Sequence, residues 1–119
     1  MATSDPIRVC LDEELASGEV RVLALSPGAD GLPREALVLR DAGGVIRAYL
    51  NRCQHLPVPL DGGSRSFLSS SRRHLQCGTH GALYRLDDGR CIAGPCKGTR
   101  LTTLSVGVKA GVVLLDRPE

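Results

Sequence analysis

The sequence lacks the features that would place it in a membrane, outside the cell or among helical proteins. No apolar run approaches the ~20 residues that a membrane-spanning helix needs, and no segment has a convincing helical period. The first residues, Met-Ala-Thr-Ser-Asp-Pro, lack the charged and apolar regions of a secretory signal. Five cysteines are an odd number, which argues against a full disulfide framework. We therefore expect a cytoplasmic protein whose thiols are reduced.

Apolar residues alternate with polar ones over several short segments that are bounded by Gly, Pro, Asp and Ser. This pattern is typical of β-strands, and in the second segment it places Val20, Val22 and Ala24 on one face. Residues 41–44, Asp-Ala-Gly-Gly, suit a hairpin connection. The pattern predicts an all-β sandwich or barrel, with strands over residues 7–11, 19–25, 35–40, 45–50, 101–108 and 112–116.

Between the two groups of strands lie two short segments that each pair a cysteine with a histidine. They read Cys53-Gln54-His55 and Cys77-Gly78-Thr79-His80. Two thiolates and two imidazoles suit zinc or iron–sulfur chemistry. A structural zinc finger usually supplies its cysteines as one pair and its histidines as another. Here each pair supplies one of each, so the cysteines can bind one iron of a [2Fe–2S] centre and the histidines the other.

With these two pairs the sequence resembles the Rieske-type ferredoxins, in particular the ferredoxin component of ring-hydroxylating oxygenase systems. The resemblance covers nearly the whole chain, and two departures are visible. The gap between His55 and Cys77 holds 21 residues, toward the long end for the family, and Leu56-Pro57 stands where many relatives have Arg-Gly. Besides the two pairs it rests on Tyr49-Leu50-Asn51-Arg52, on Gly81, on Tyr84, on Gly89-Arg90-Cys91 and on Gly94-Pro95-Cys96.

The resemblance implies one Rieske domain over residues 1–119. It implies a Rieske-like antiparallel β base, 1–50 and 98–119, with a small inserted cluster-binding subdomain, 51–97. One [2Fe–2S] cluster per chain is implied, held by Cys53, His55, Cys77 and His80. The chain has no room for a mononuclear iron domain, and no nucleotide-binding loop follows a strand.

These properties predict a one-electron carrier that serves enzymes and is not itself an enzyme. The implied partners are a flavin-dependent ferredoxin reductase and a terminal oxygenase, with no nucleic acid, no membrane and a monomeric chain. Two alternatives stay open. One is a Rieske-like small subunit of a larger oxidoreductase such as a nitrite reductase, and the other is a zinc-stabilised interaction module.

The remaining cysteines have simpler interpretations. Cys10 lies in the first predicted strand and is expected in the core. Cys91 and Cys96 are expected to pack in a hairpin near the cluster. The resemblance implies no disulfide across the ligand loops, because the comparable positions hold Pro57 or Val58 and Thr79.

Four further residues near the pairs have expected roles. Gly94-Pro95 is expected to form a tight turn that covers the cluster. Tyr84 is expected to pack as an aromatic of the strand after the second pair. His74, in the run Ser70-Ser71-Arg72-Arg73-His74, is expected to be a solvated surface histidine. Phe67 either anchors its loop to the core or contacts a partner.

Charge is unevenly placed along the chain. The total is +2, but residues 50–100 carry a formal +5 and the rest −3. A basic half that holds the ligands indicates an acidic partner surface rather than nucleic acid. Arg65, Arg72 and Arg73 lie in the loop between the two pairs, so we expect that loop to take part in docking.

Overall fold

The computed structural model describes residues 6–17, 19–27, 31, 34–41, 43–52, 74–77, 82–94 and 97–116. These residues form ten strands and a short 3-10 helix, and none of them is in an α-helix. The 3-10 turn is Asp12–Glu14. The strands are β1 Ile7–Leu11, β2 Val20–Leu25, β3 Arg34–Arg40, β4 Ile46–Leu50, β5 His74–Gln76, β6 Leu83–Arg85, β7 Cys91–Ala93, β8 Thr103–Leu104, β9 Val106–Lys109 and β10 Val112–Leu115.

The strands pair antiparallel in three sheets over the described residues. Sheet A has the order β1-β10-β9, sheet B the order β2-β3-β4-β8 and sheet C the order β5-β6-β7. Sheets A and B therefore combine strands from both ends of the chain, whereas sheet C comes from its middle. The nearly all-β structure confirms the predicted fold class. Among the described residues, no helix has the length and apolar character needed to cross a bilayer.

Sheet B is the middle layer, because β3 is buried on both faces. Residues 36–39 are all at most 1% exposed. Alternation along a strand sends neighbours to opposite faces. One face joins a cluster that we call the sheet C core: Leu37, Leu39, Tyr49, Leu75, Cys77, Ala82, Tyr84, Leu86, Cys91 and Leu101. The other joins the sheet A core: Cys10, Leu15, Ala36, Val38, Ala48, Leu104, Val113 and Leu115.

The first four predicted strands occur at almost the predicted positions. β1 matches its prediction to the residue, and β3 and β4 form the predicted hairpin, with Arg40 opposite Ile46. In β2, Val20 and Val22 pack against the sheet C core as one face. Ala24 was expected beside them but is exposed, because the sheet C core covers only the part of β2 that holds the two valines.

The strand predicted over residues 101–108 is wrong as a single element. Leu101 belongs to the sheet C core, β8 pairs with β4 in sheet B, and β9 pairs with β10 in sheet A. Ser105 separates β8 from β9, and its carbonyl accepts a 2.9 Å hydrogen bond from the Asp116 N–H. The chain changes sheet at this point, which residue-by-residue alternation does not reveal.

Candidate metal centre

Of the four predicted ligands, the structure describes Cys77. Cys53, His55 and His80 lie outside the described residues, as do Pro57, Val58, Phe67, Thr79, Pro95, Cys96 and the three loop arginines Arg65, Arg72 and Arg73. The site is therefore defined by the strand ends from which the two ligand pairs start.

The first pair follows the end of β4, where three consecutive N–H groups fix the backbone. The Leu50 N–H donates to the Thr102 carbonyl at 2.9 Å, the Asn51 N–H to Glu35 at 2.8 Å, and the Arg52 N–H to Leu50 at 2.8 Å. Cys53 is the next residue. The backbone that leads into the first ligand pair is thus held from both neighbouring strands.

Asn51 has a second link to the same partner. Its side-chain amide donates to the Glu35 carboxylate at 3.1 Å, and the residue is only 7% exposed. A buried amide needs its hydrogen bonds, so this pairing sets where the chain leaves β4. Glu35 was not among the predicted site residues; an isolated acid opposite the end of a predicted hairpin strand was the available signal.

The second pair starts where β5 ends. The Cys77 N–H donates to the Ala82 carbonyl at 2.8 Å, one step beyond the last ladder pair, Gln76 with Leu83. These two residues therefore close a hairpin around the four residues 78–81, which include His80. The hairpin fixes both ends of the second ligand segment.

Both ligand segments start from one core. Tyr49, four residues before Cys53, and Cys77 are each 1% exposed and belong to the sheet C core. Among the described residues, Cys77 forms no disulfide. A buried thiol beside the starting points of two ligand segments has the donor chemistry and the sheltered position that an iron–sulfur centre needs. The described residues therefore fit the predicted cluster.

Gly94 lies against the residue that follows the second ligand segment. Its φ of 97° is in the left-handed region, and a Cβ at this position would stand 2.7 Å from the Ala82 Cα. A glycine is required here on both grounds. Gly94 thus packs against Ala82, and Pro95 of the expected covering turn lies outside the described residues.

Predictions about three further residues are confirmed. Tyr84 is fully buried and packs in the sheet C core. Cys91 is buried in the same core, and its Sγ–H donates to the Ala93 carbonyl at 3.2 Å. Cys10 is buried in the sheet A core, as expected.

His74 was expected to be a solvated surface histidine. It is the first residue of β5 and half-buried, opposite Arg85, and it lines a cleft of about 700 Å³ with Asp41, Arg47 and Asp87. Pairing with β6 orders the end of a run whose composition is that of a loop.

Two ionisable groups near this cleft have shifted pKa values. Burial alone would raise the pKa of Asp41, but N–H groups of Val45 and Gly43 and the Arg47 guanidinium bond its carboxylate and lower that pKa overall. Burial raises the pKa of Tyr49 to about 12, and its phenol donates to the Leu86 carbonyl at 2.7 Å. Both groups stabilise the strands that precede the first ligand pair.

Comparison with known proteins identifies the family. The profile of the Rieske [2Fe-2S] domain matches residues 5–109. The chain belongs to the Rieske [2Fe–2S] domain family. A Rieske-type [2Fe–2S] cluster is therefore its cofactor.

Two oxygenase components are similar to this Rieske domain. The oxygenase component of chloroacetanilide N-alkylformylase from Rhizorhabdus wittichii is 42% identical over 64 residues, which are 54% of this chain and 17% of that protein. The terminal oxygenase of carbazole 1,9a-dioxygenase from Novosphingobium sp. KA1 is 26% identical, with a TM-score of 0.73, over 98% of this chain and 31% of its own. The Rieske domain thus spans a minor part of each.

A third relative has the same extent as this Rieske domain. The ferredoxin of carbazole 1,9a-dioxygenase from Nocardioides aromaticivorans IC177 is 25% identical, with a TM-score of 0.69. The match covers 97% of this chain and 100% of that ferredoxin.

Proposed function

We propose that this Rieske domain is a one-electron carrier that takes electrons from a flavin-dependent ferredoxin reductase and passes them to a terminal oxygenase. The observation that supports this role most is its match over the full length of a dioxygenase ferredoxin. Such a carrier would act in the cytoplasm as a monomer and would not be an enzyme by itself. The cluster supplies the redox chemistry, with a potential in the range of about −150 to +300 mV for Rieske centres.

We propose Cys53 and Cys77 as ligands of one iron, and His55 and His80 as ligands of the other. The burial of Cys77, which forms no disulfide among the described residues, supports this assignment, and so does the start of both ligand segments at the sheet C core. We also propose the division into a β base, 1–50 and 98–119, and a cluster-binding subdomain, 51–97.

The described residues would serve this centre by holding and covering it. Glu35 and Asn51 fix the direction of the first ligand segment. The Cys77–Ala82 hydrogen bond closes the second. The Gly94 turn packs against Ala82 and would keep water from that side. Rigid support of this kind fixes ligand orientation, on which the potential of a metal centre depends.

Low-temperature EPR of the dithionite-reduced protein tests the cluster. Replacing His55 or His80 by Cys should lower the potential and shift the spectrum toward that of an all-thiolate centre. Cys53→Ser or Cys77→Ser should lose the cluster. His74→Ala is the matched control and should retain it. Loss of the cluster in His74→Ala but not in His80→Ala would contradict the ligand assignment, and a colourless protein that binds zinc would contradict the function.

A second candidate function is the Rieske domain of an oxygenase component. The relative from Rhizorhabdus wittichii, 42% identical over its matching segment, favours it. Iron counting on the polypeptide purified from its native source separates the two functions. Two iron atoms per polypeptide support a carrier, whereas a third iron indicates an oxygenase that contains this domain.

A further inference from the structure

Three cations lie on the segments that flank β7. Arg90, Lys97 and Arg100 are all exposed, and Arg90 and Arg100 face each other in an antiparallel bridge. From residue 89 to residue 115 the sequence has no Asp or Glu. Positive charge is therefore concentrated here.

Three arginines of the β sheets are, by contrast, ion-paired. Arg40 pairs with Asp12, Arg47 with Asp41, and Arg85 with Asp87. Within the described part of the chain, Arg90, Lys97 and Arg100 form no ion pair. Their charge is thus available to a partner, and exposed charges of one sign steer an oppositely charged protein toward the site.

An exposed apolar side chain lies among the three cations. In β7, Cys91 points into the sheet C core, and alternation turns Ile92 outward, where it is 38% exposed. We define the basic groove by Arg90, Ile92, Lys97 and Arg100. The first three line a shallow groove of about 440 Å³ with Arg85 and Gly98. An apolar centre with a charged rim is the composition of a small protein interface.

The basic groove also lies close to the predicted metal centre. β6 separates β7 from Cys77, so two strand spacings, about 10 Å, lie between them. Gly94, the residue after β7, lies against Ala82. A protein seated in the groove would therefore lie beside the second ligand pair.

We propose that the basic groove is a docking site for an acidic surface of the protein that exchanges electrons with this chain. The inference rests on the proposed carrier function and adds the surface and the charge of its partner. Charge complementarity indicates the partner. A partner surface with acidic residues around an apolar contact would match the three cations around Ile92. Electron transfer needs brief encounters, for which a small, charge-steered interface is suited.

Stopped-flow reduction of the holoprotein by flavodoxin hydroquinone, an acidic one-electron donor, tests the proposal. We expect the wild-type rate to fall as ionic strength rises. Arg90→Glu with Lys97→Glu should slow it at least about tenfold at low salt, within the range of electrostatic steering. Lys109→Glu, an exposed cation on β9 of sheet A, is the matched control and should stay within about twofold. Ile92→Ser should slow transfer with little change in salt dependence.

A second readout does not depend on redox activity. Binding of labelled flavodoxin to the folded chain, measured by fluorescence anisotropy, should weaken in the double variant and not in Lys109→Glu. Equal rates and equal affinities for the double variant and Lys109→Glu would overturn the proposal. Two other outcomes would also overturn it. One is that the wild type is a dimer and the double variant dissociates it. The other is that the double variant loses binding to a DNA duplex while its binding to flavodoxin is unchanged.

The docking site and the carrier function fail in distinguishable ways. A normal cluster spectrum with rates unaffected by the double variant overturns the groove alone. A protein without the cluster overturns the carrier function, and flavodoxin binding then still decides whether the groove binds an acidic protein.

Discussion

The phenol of Tyr49 donates a 2.7 Å hydrogen bond to the carbonyl of Leu86. This bond joins β4, the strand that leads into the first ligand pair, to the turn between β6 and β7. The ring is 1% exposed, and a Cβ on Gly89 would stand 2.8 Å from its Cε1. The turn at residues 86–89 is therefore built around this tyrosine, and sheet C is attached to the middle sheet through it.

Tyr49→Phe should lower the free energy of unfolding by about 1–3 kcal/mol, because the buried Leu86 carbonyl loses a donor. The wild type should also lose stability in alkali. Burial raises the pKa of Tyr49 to about 12, above an unfolded value of about 10, so its contribution is complete below about pH 10 and is lost as pH rises through the folded pKa. Urea titrations from pH 8 to 12 measure both effects. The free energy of unfolding of Tyr49→Phe should fall less steeply with pH than that of the wild type. Parallel falls in the two proteins would contradict the raised pKa of Tyr49.

Gly94→Ala should weaken cluster retention. The new methyl group would meet the Ala82 backbone at 2.7 Å, and the shift would pass to the second ligand segment. Gly98→Ala is the matched control: its φ of 96° gives a similar left-handed strain, but no atom lies within 4 Å of the added Cβ. Iron content and visible absorbance per chain after mild heating measure the difference. Equal losses in both variants would mean that backbone strain, not contact with Ala82, is the cause.

Asp41→Ala should destabilise the protein by about 2–3 kcal/mol, because the Asp41 carboxylate accepts three hydrogen bonds that include charged ones. The donors are the Gly43 N–H at 2.9 Å, the Val45 N–H at 3.0 Å and the Arg47 Nε at 3.0 Å. Asp41→Asn keeps an acceptor but loses the charge, so it should cost less, about 1 kcal/mol.

The pH dependence of the Asp41 contribution has a definite sign. The pKa of Asp41 is lowered, so its contribution is complete above the unfolded value of about 3.9 and is lost as pH falls through the folded pKa. The stability difference between wild type and Asp41→Asn, from urea unfolding at pH 6 and at acid pH, should therefore shrink in acid. A difference that grew in acid would contradict the direction of the shift.

Ala110→Gly should stabilise the protein by about 0.5–1 kcal/mol. Ala110 and Gly111 form the two-residue turn between β9 and β10, and Ala110 has a φ of 52°, which costs a residue with a Cβ about 1 kcal/mol or more. Gly111→Ala, at a φ of 76°, should destabilise by a similar amount. Chemical denaturation of the pair should give changes of opposite sign, and any other result would exclude strain at this turn.

The sequence predicted most strands of sheets A and B because their signals are local. Alternation and the Asp41–Gly44 turn specify the β3–β4 hairpin, and the spacing of Cys77 and His80 specifies the family motif. The break at Ser105 was not visible, because which sheet a strand joins depends on distant pairing. Sheet C was predicted only in part, as a strand with Tyr84 and a hairpin with Cys91, and without bounds. Its strands have three residues each, too short to show a period.

The interactions that support the site were invisible in the sequence for the same physical reason. Glu35 with Asn51 and Gly94 with Ala82 are far apart along the chain. Their effect depends on register and close approach, which composition does not encode. His74 shows the opposite case, since a polar composition indicated a loop and strand pairing placed the residue in a sheet.

In β3, side-chain size sets the pairing register, which in most strands is set by the alternation of polar and apolar residues. A strand with one solvent-exposed face has a well-defined register, because a shift by one residue would expose its apolar side chains. Residues 36–39 are buried on both faces, so polarity there cannot distinguish the correct pairing from a shifted one. The small Ala36 and Val38 face sheet A, and the larger Leu37 and Leu39 face sheet C. A one-residue slip would overfill one core and leave cavities in the other, so side-chain volume sets the frame of the central strand.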